Sequence, residues 1–162
     1  MIDKETAGIV LSVVVILAVF AIIQPLIPTA TERFSELGVL GANKKIGDYP
    51  TNVTLGSSAS LFVYIGNHEG VVEFYNVKVK LGNQTTIVNN VTSARAPLVA
   101  SFYRVLSNNQ TYVLPLNLSF EHAGTNEKLI IELWMFNTTS GEFQYTGLWN
   151  QLFVNVTALP QA

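Results

Sequence analysis

The hydrophobic pattern changes period along the chain, and its first part is one continuous apolar run. From Ala7 to Ile23 the only polar side chain is Ser12, and the run continues through Leu26 and Ile27. At about 1.5 Å rise per residue, ~20 helical residues span a hydrocarbon core of about 30 Å. The run is longer than the apolar segment of a secretory signal, which takes about 7 to 15 residues. The pattern therefore predicts one transmembrane helix that contacts membrane lipid through residues 7–27.

A short polar-apolar segment follows this run. In "TATERFSELGVLG", Thr29 or Thr31 is a suitable helix cap and Gly38 a suitable stop, which predicts a short interfacial helix. The next residues, "ANKKIGDYP", have the composition of a polar linker. We therefore divide the chain into a cytoplasmic stub and transmembrane helix (1–28), an interfacial helix and linker (29–50), and a glycosylated β-sandwich ectodomain (51–162).

From Thr51 onward, apolar and polar residues alternate with the period of β-strands. In "TYVLPLNLSF" the apolar phase is Tyr112, Leu114, Leu116, Leu118 and Phe120, while Pro115 lies on the outward phase, as expected at a sheet edge. "LIIELWMF" is apolar on both phases, which predicts a central strand. The strand-like runs cover residues 58–66, 72–81, 85–91, 98–105, 111–120, 128–136 and 151–157. Seven such runs predict a mainly β fold: one N-terminal transmembrane helix followed by an extracytoplasmic, immunoglobulin-like antiparallel β-sandwich.

Charge and cysteine content narrow the class of protein. Charged residues make up 12% of the chain and the formal net charge is -2, whereas soluble proteins average about 25% charged residues. The chain has no basic surface for a nucleic acid, and we exclude that partner. It also has no cysteine, so an exported domain must be stabilised without disulfides.

Asn-X-Ser/Thr sequons set the predicted orientation. Composition predicts roughly two by chance, but the chain has seven, at Asn52, Asn83, Asn90, Asn109, Asn117, Asn137 and Asn155. Because N-linked glycans are attached outside the membrane, we expect a cytoplasmic N-terminus and an extracellular C-terminal domain in the cell membrane. An Asn/Thr-rich β surface could also produce sequons by composition alone. Dense sequons, sparse charge and absent cysteine together favour a glycoprotein of an archaeal cell envelope.

The segment "GNHEG" places His68 beside Glu69 between two strand-like runs. It is first a turn, and second a loop that could contact a partner. His122 and the scattered carboxylates show no metal-ligand spacing, and no histidine lies near a candidate nucleophile in sequence. We therefore expect no enzyme activity, no cofactor and no metal. In "YTGLWNQ", Trp149 lies in a turn-rich stretch and is a second candidate partner contact.

The runs "IGDYPTNVTLG", "LFVYIGNHEG", "VKLGNQTT" and "LIIELWMFNTTSGEFQYTGLWNQLFVNVT" carry a resemblance that covers most of the chain. They resemble an archaeal, Sulfolobus-like family of uncharacterised membrane proteins, a domain-of-unknown-function family with Asp-Tyr-Pro and Asn-His-Glu-Gly segments. The resemblance implies a membrane-anchored archaeal ectodomain and supplies no catalytic residue.

Three functional hypotheses follow from these observations. The first is a non-catalytic accessory or scaffold subunit whose sandwich binds protein subunits of a larger membrane or envelope assembly. The second is a pilin-like filament subunit, although Asp3, Lys4 and Glu5 precede the apolar run. The third is a surface module that binds polysaccharide or peptide through aromatic side chains.

Overall fold

The computed structural model describes residues 3–23 and 32–158, which form two compact units divided at Glu32 and Arg33. In the first unit, α1 spans Lys4–Ile23 and its side chains from Thr6 onward are exposed. The hydroxyl of Ser12 donates to the carbonyl of Gly8 at 2.9 Å, so the one polar side chain of the run is satisfied within the helix. The predicted apolar helix is confirmed as one long and apolar enough to cross a membrane. Its continuation through Leu26 and Ile27 lies outside the described residues.

Between residues 33 and 158, the second unit contains eight strands. They are β1 (Phe34–Leu40), β2 (Asn52–Thr54), β3 (Ser58–His68), β4 (Glu73–Gly82), β5 (Leu98–Leu106), β6 (Gln110–Ser119), β7 (Gly124–Asn137) and β8 (Glu142–Thr157). A three-stranded sheet has the order β1-β3-β6, and a five-stranded sheet has the order β2-β8-β7-β4-β5. All pairs are antiparallel except β2 with β8. The mainly β, immunoglobulin-like sandwich expected from the sequence is confirmed.

The core lies between the two sheets and follows the alternation seen in the sequence. On β6, Leu116 and Leu118 are buried while Pro115 and Asn117 are exposed, and this strand is an edge, as Pro115 predicts. β7 lies in the middle of its sheet, as its apolar character on both phases predicts. Its fully buried Ile131 and Leu133 face the core.

The predicted interfacial helix is wrong where the structure describes it, because "FSELGVL" forms β1. This segment also fits a period of two, with Leu37 and Val39 packing on the core. It pairs with β3 from Phe34 opposite His68 to Leu40 opposite Phe62. Sheet pairing thus overrides a helix signal that rested on caps alone. The sandwich therefore begins near Phe34 rather than Thr51, while Thr29 and Thr31 lie outside the described residues.

The predicted strand over 85–91 is also wrong, because this stretch is irregular. Asparagine side chains replace the hydrogen bonds that a strand would supply. Asn83 accepts from the Thr85 amide at 3.0 Å, and Asn89 accepts from the Val91 and Thr92 amides at 2.9 and 2.7 Å. Such local side-chain to backbone bonds compete with sheet ladders. We call residues 83–97 the β4–β5 loop.

Candidate functional site

The loop after β3 is a crossover between the two sheets. Asn67 is fully buried and holds the loop together. Its Nδ2 donates to the carbonyls of Val71 and Leu106, both at 2.8 Å, and its Oδ1 accepts from the Glu69 amide at 2.9 Å. Gly70 has φ 83°, a conformation that glycine adopts without strain. The interpretation of "GNHEG" as a turn holds only for Glu69 and Gly70, because its first three residues belong to β3, and the strands that this bend joins lie in different sheets.

The imidazole of His68 is held on the outer face of the three-stranded sheet. Its ring stacks on Phe34 with centroids 4.7 Å apart, and Nδ1 lies 3.1 Å from Oδ1 of Asn109. Nε2 lies 3.5 Å from the carboxylate of Glu36. The same carboxylate accepts from the Tyr64 hydroxyl at 2.7 Å and thereby raises the pKa of that tyrosine. His68 thus has partners on both ring nitrogens.

Glu69 takes part in a separate hydrogen-bond chain. Its carboxylate accepts from the Ser35 hydroxyl at 2.6 Å, and that oxygen lies 2.8 Å from the Tyr75 hydroxyl. Burial raises the pKa of Tyr75 to about 12, with a smaller contribution from the Glu69 charge. Burial, followed by the Glu69 charge, also raises the pKa of Glu73. Glu69 lines an open cleft of about 370 Å³ with Arg33, among other residues. His68 and Glu69 are therefore neighbours in sequence that work in different networks.

Trp149 lies within β8, opposite Glu132 of β7, and is half-buried. The expected turn-rich setting is wrong, because the strand continues through this residue. The positive φ of 82° at Gly147 and a register shift near Trp134 explain the turn-like composition. These are the features of a β-bulge.

An aromatic patch that sequence reasoning missed covers one end of the five-stranded sheet, on its outer face. Phe74, Tyr103, Phe136 and Phe143 come from four different strands, with ring centroids 5.0 to 6.0 Å apart. Tyr103 and its neighbour Val105 are each 58% exposed. We call these four rings the aromatic patch. Their shared outward phase on successive strands was the available signal.

A buried ion pair lies further along the same outer face. Glu132 is fully buried, and its carboxylate lies 2.9 Å from Nζ of Lys80. It also accepts from the Ala94 amide at 2.6 Å and from the Trp134 indole at 3.0 Å. Lys80 donates to the Ala94 carbonyl at 2.7 Å. The pair therefore fastens the β4–β5 loop onto the sheet.

Further cations and aromatics surround this pair. Nζ of Lys78 lies 3.5 Å from the centroid of Trp134, and burial together with the Lys80 charge lowers the pKa of Lys78. Burial and the Glu132 charge raise the pKa of Tyr145 to about 12. The Tyr145 hydroxyl donates to the carbonyl of Asn89 in the β4–β5 loop at 2.9 Å.

The sequon asparagines are spread over the sandwich. Asn52, Asn83, Asn90, Asn109 and Asn117 are exposed, whereas Asn137 and Asn155 are half-buried. Nδ2 of Asn155, the atom that would carry a glycan, donates to Oδ1 of Asn52 at 3.1 Å. Asn155 and Asn52 face each other in adjacent parallel strands. In the ranges 3–23 and 32–158, no three His, Asp or Glu side chains are grouped to hold a metal ion.

These observations define an immunoglobulin-like sandwich preceded by an apolar helix. The chain belongs to the family described as Domain of unknown function (DUF1616), which matches residues 28–153. No curated protein matches the sequence.

Solved structures resemble the chain at low sequence identity. The CARDB domain of the PF1109 protein from Pyrococcus furiosus, crystallised in complex with di-metal ions, is 13% identical. The match covers 77% of this chain and 89% of that chain, with a TM-score of 0.49. The β-glucosidase from Listeria innocua in complex with glucose is 15% identical, with a TM-score of 0.46. This match covers 76% of this chain but 16% of the β-glucosidase.

Proposed function

We propose that this protein is a non-catalytic, membrane-anchored surface module that acts as an accessory or scaffold subunit of a larger membrane or cell-envelope assembly. In this proposal α1 anchors the chain, the N-terminus is cytoplasmic, and the sandwich faces outward and binds protein subunits. The aromatic patch is the observation that carries the proposal. The seven sequons and the absence of cysteine support an archaeal glycoprotein with this orientation.

The aromatic patch has the composition of a protein-binding surface. Aromatic side chains are enriched at interfaces, and apolar clusters that reach the surface mark interaction sites. In the patch Tyr103 is exposed and the three phenylalanines are half-buried. The four rings are already packed against each other at 5.0 to 6.0 Å, so a partner would order few additional side chains. Val71 and Val72, which are 50% and 62% exposed, precede β4 at the same end of the sandwich. The apolar surface thus continues beyond the four rings.

The loop chemistry supports a non-catalytic role. The imidazole of His68 is engaged by an amide oxygen, a carboxylate and a phenyl ring, and these contacts hold the side chain in place. The Ser35 hydroxyl donates a hydrogen bond to Glu69, and among residues 32–158 the polar partners of the His68 ring are instead Asn109 and Glu36. In this proposal His68 and Glu69 maintain the end of the sandwich from which the patch projects.

The test is mild detergent extraction of the tagged full-length chain from its own membrane, followed by mass spectrometry of the proteins that accompany it. The decisive variant is Phe143→Ser in the patch. Its matched control is Phe153→Ser on the same strand and the same face, at a residue 44% exposed. We expect stoichiometric partner subunits with the unaltered chain and with Phe153→Ser, and their loss with Phe143→Ser. Recovery of the same partners with Phe143→Ser would refute the patch as the binding surface.

The mass of the native N-terminus tests the filament alternative in the same sample. A chain that retains Asp3, Lys4 and Glu5 is expected for an anchored subunit. A homopolymer trimmed close to Gly8 would instead establish a pilin-like protein.

A further inference from the structure

The two sheets have four edge strands, and three of these edges are protected. β1 is capped by side chains: Nδ2 of Asn150 donates to the Leu37 carbonyl at 3.2 Å, and the Tyr49 hydroxyl donates to the Val39 carbonyl at 2.9 Å. β2 is only three residues long. β6 carries Pro115, which has no amide hydrogen to offer. Short edges, proline and covering groups are the usual devices against unwanted strand pairing.

From Ala100 to Leu106, β5 has none of these devices and keeps a regular register with β4. Its nine residues, Leu98–Leu106, pair with β4, and in residues 32–158 no other strand pairs with them. The strand contains no proline and one charged residue, Arg104. The Arg104 guanidinium lies 3.7 Å from the ring centroid of Tyr112 on β6. It therefore packs on the opposite sheet and does not cover the edge.

The sequence of β5, "LVASFYRVL", is nearly symmetric about its centre. Around Phe102, Ser101 mirrors Tyr103, Ala100 mirrors Arg104, and valine and leucine repeat at both ends. In an antiparallel pair of identical strands centred on Phe102, Tyr103 meets Ser101, Arg104 meets Ala100, and the two Phe102 side chains meet on the axis, so the two arginines do not face each other. Strands paired in this way form an isologous two-fold interface.

We propose that β5 is a self-pairing edge, through which a second copy of this chain joins the five-stranded sheet across a two-fold axis at Phe102. A bulge at Val99, the extra β5 residue opposite the step from Val79 to Lys80 on β4, marks one end of the regular edge. Pairing over the remaining residues would supply backbone hydrogen bonds that the free edge lacks. The result is a continuous sheet of two copies.

The pairing brings the two aromatic patches together. Tyr103 is the patch member on β5, and in the two-fold register it lies opposite Ser101 of the second copy. The patch of each copy would then meet the other across the axis. This inference goes beyond the proposed function, because it concerns the second copy and not the partner subunit.

The experiment measures the mass of the purified full-length chain in detergent micelles by light scattering, with the micelle contribution subtracted. We expect a dimer for the unaltered chain and a monomer for Tyr103→Lys, which places a cation on the β5 edge. The matched control is Val113→Lys on the protected edge β6, where the residue is 37% exposed. We expect this control to remain dimeric. Unchanged thermal unfolding of both variants shows that the sandwich is folded.

Cysteine cross-linking tests the register, since the natural chain has no cysteine. A mixture of Ser101→Cys and Tyr103→Cys chains should form a disulfide-linked dimer on mild oxidation. The corresponding mixture of Thr111→Cys and Val113→Cys chains, on β6, should not. A monomeric unaltered chain, or a dimer that survives Tyr103→Lys, would overturn the proposal. The Phe143→Ser experiment remains decisive for the proposed function in either case.

Discussion

Replacing Glu132 with glutamine tests whether the buried ion pair stabilises the sandwich. The side chain keeps its size, but its negative charge is lost. Glu132 is fully buried and Lys80 is 10% exposed in its side chain, so little water can replace the lost partner. The lysine would be left as a buried, unpaired cation.

The expected cost follows from this geometry. Removing one partner of a buried ion pair costs about 3–5 kcal/mol, because the other charge stays in a poorly solvated site. The Ala94 amide and the Trp134 indole would also exchange a charged acceptor for a neutral one. A domain of this size has a free energy of unfolding of about 5–15 kcal/mol. We therefore expect Glu132→Gln to remove about a fifth or more of this free energy.

The assay is urea unfolding of the full-length chain in a mild detergent, with tryptophan fluorescence as the signal that monitors unfolding. Amide hydrogen exchange in the β4–β5 loop provides a local measurement, and we expect faster exchange at Ala94. Glu36→Gln is the matched control, because Glu36 pairs with His68 at a half-exposed site and should cost about 1 kcal/mol or less.

A double-mutant cycle with Lys80→Met tests the pairing itself. Because the double variant leaves no unpaired charge, its cost should be about 2 kcal/mol or more below the sum of the single costs. A free energy of unfolding for Glu132→Gln within about 1 kcal/mol of the value for the unaltered chain would refute a large cost of the unpaired lysine. Additive single costs would also refute it.

Three further predictions concern backbone conformation and titration. Gly147→Ala should lower the free energy of unfolding by about 2 kcal/mol or more, because φ is positive there and the new methyl group meets the Asn90 carbonyl; an unchanged urea midpoint would contradict this. The pKa of Glu73 is raised in the folded state, so its ionisation lowers the free energy of unfolding as pH rises from about 4.5. Glu73→Gln removes this ionisation and should therefore stabilise the protein more at pH 7 than at pH 4, as measured by thermal unfolding. The pKa values of Tyr75 and Tyr145 are raised to about 12 in the folded protein, so these two residues should add phenolate absorbance at pH 11 only after unfolding. The free energy of unfolding should fall from about pH 10 upward, because the unfolded chain loses these protons first. Full phenolate absorbance of the folded protein at pH 11 would contradict this.

The alternation of apolar and polar residues identified the strands that have one face on the core and the other in solvent. β6 has a core face and a solvent face, so its period and its edge position could both be predicted from Pro115 and the leucines. Segments stabilised by contacts distant in sequence could not be predicted in the same way. "FSELGVL" fits a helix or a strand, and its pairing with residues 62–68 decides between them.

The candidate site was predicted only in part for a similar reason. Adjacent residues at a strand end point to opposite faces, so His68 and Glu69 could not be assigned to one network from sequence proximity. The aromatic patch required the registers of four strands, since its members are up to 69 positions apart between Phe74 and Phe143. Asn67 gave no signal in sequence, because a buried asparagine resembles any loop asparagine until its carbonyl partners are known.

The contact between Asn150 and Leu37 has a consequence for biosynthesis. These residues are 113 positions apart, and Asn155 of the same strand bonds Asn52 across 103 positions. During synthesis, β1 leaves the ribosome soon after α1 and Tyr49 follows closely, but Asn150, the other residue that caps its edge, is translated with β8. The Leu37 carbonyl of the nascent domain therefore stays uncapped until then, and closing loops of this length makes folding slow. We expect such a chain to need protection of its first strand while the remainder is being made.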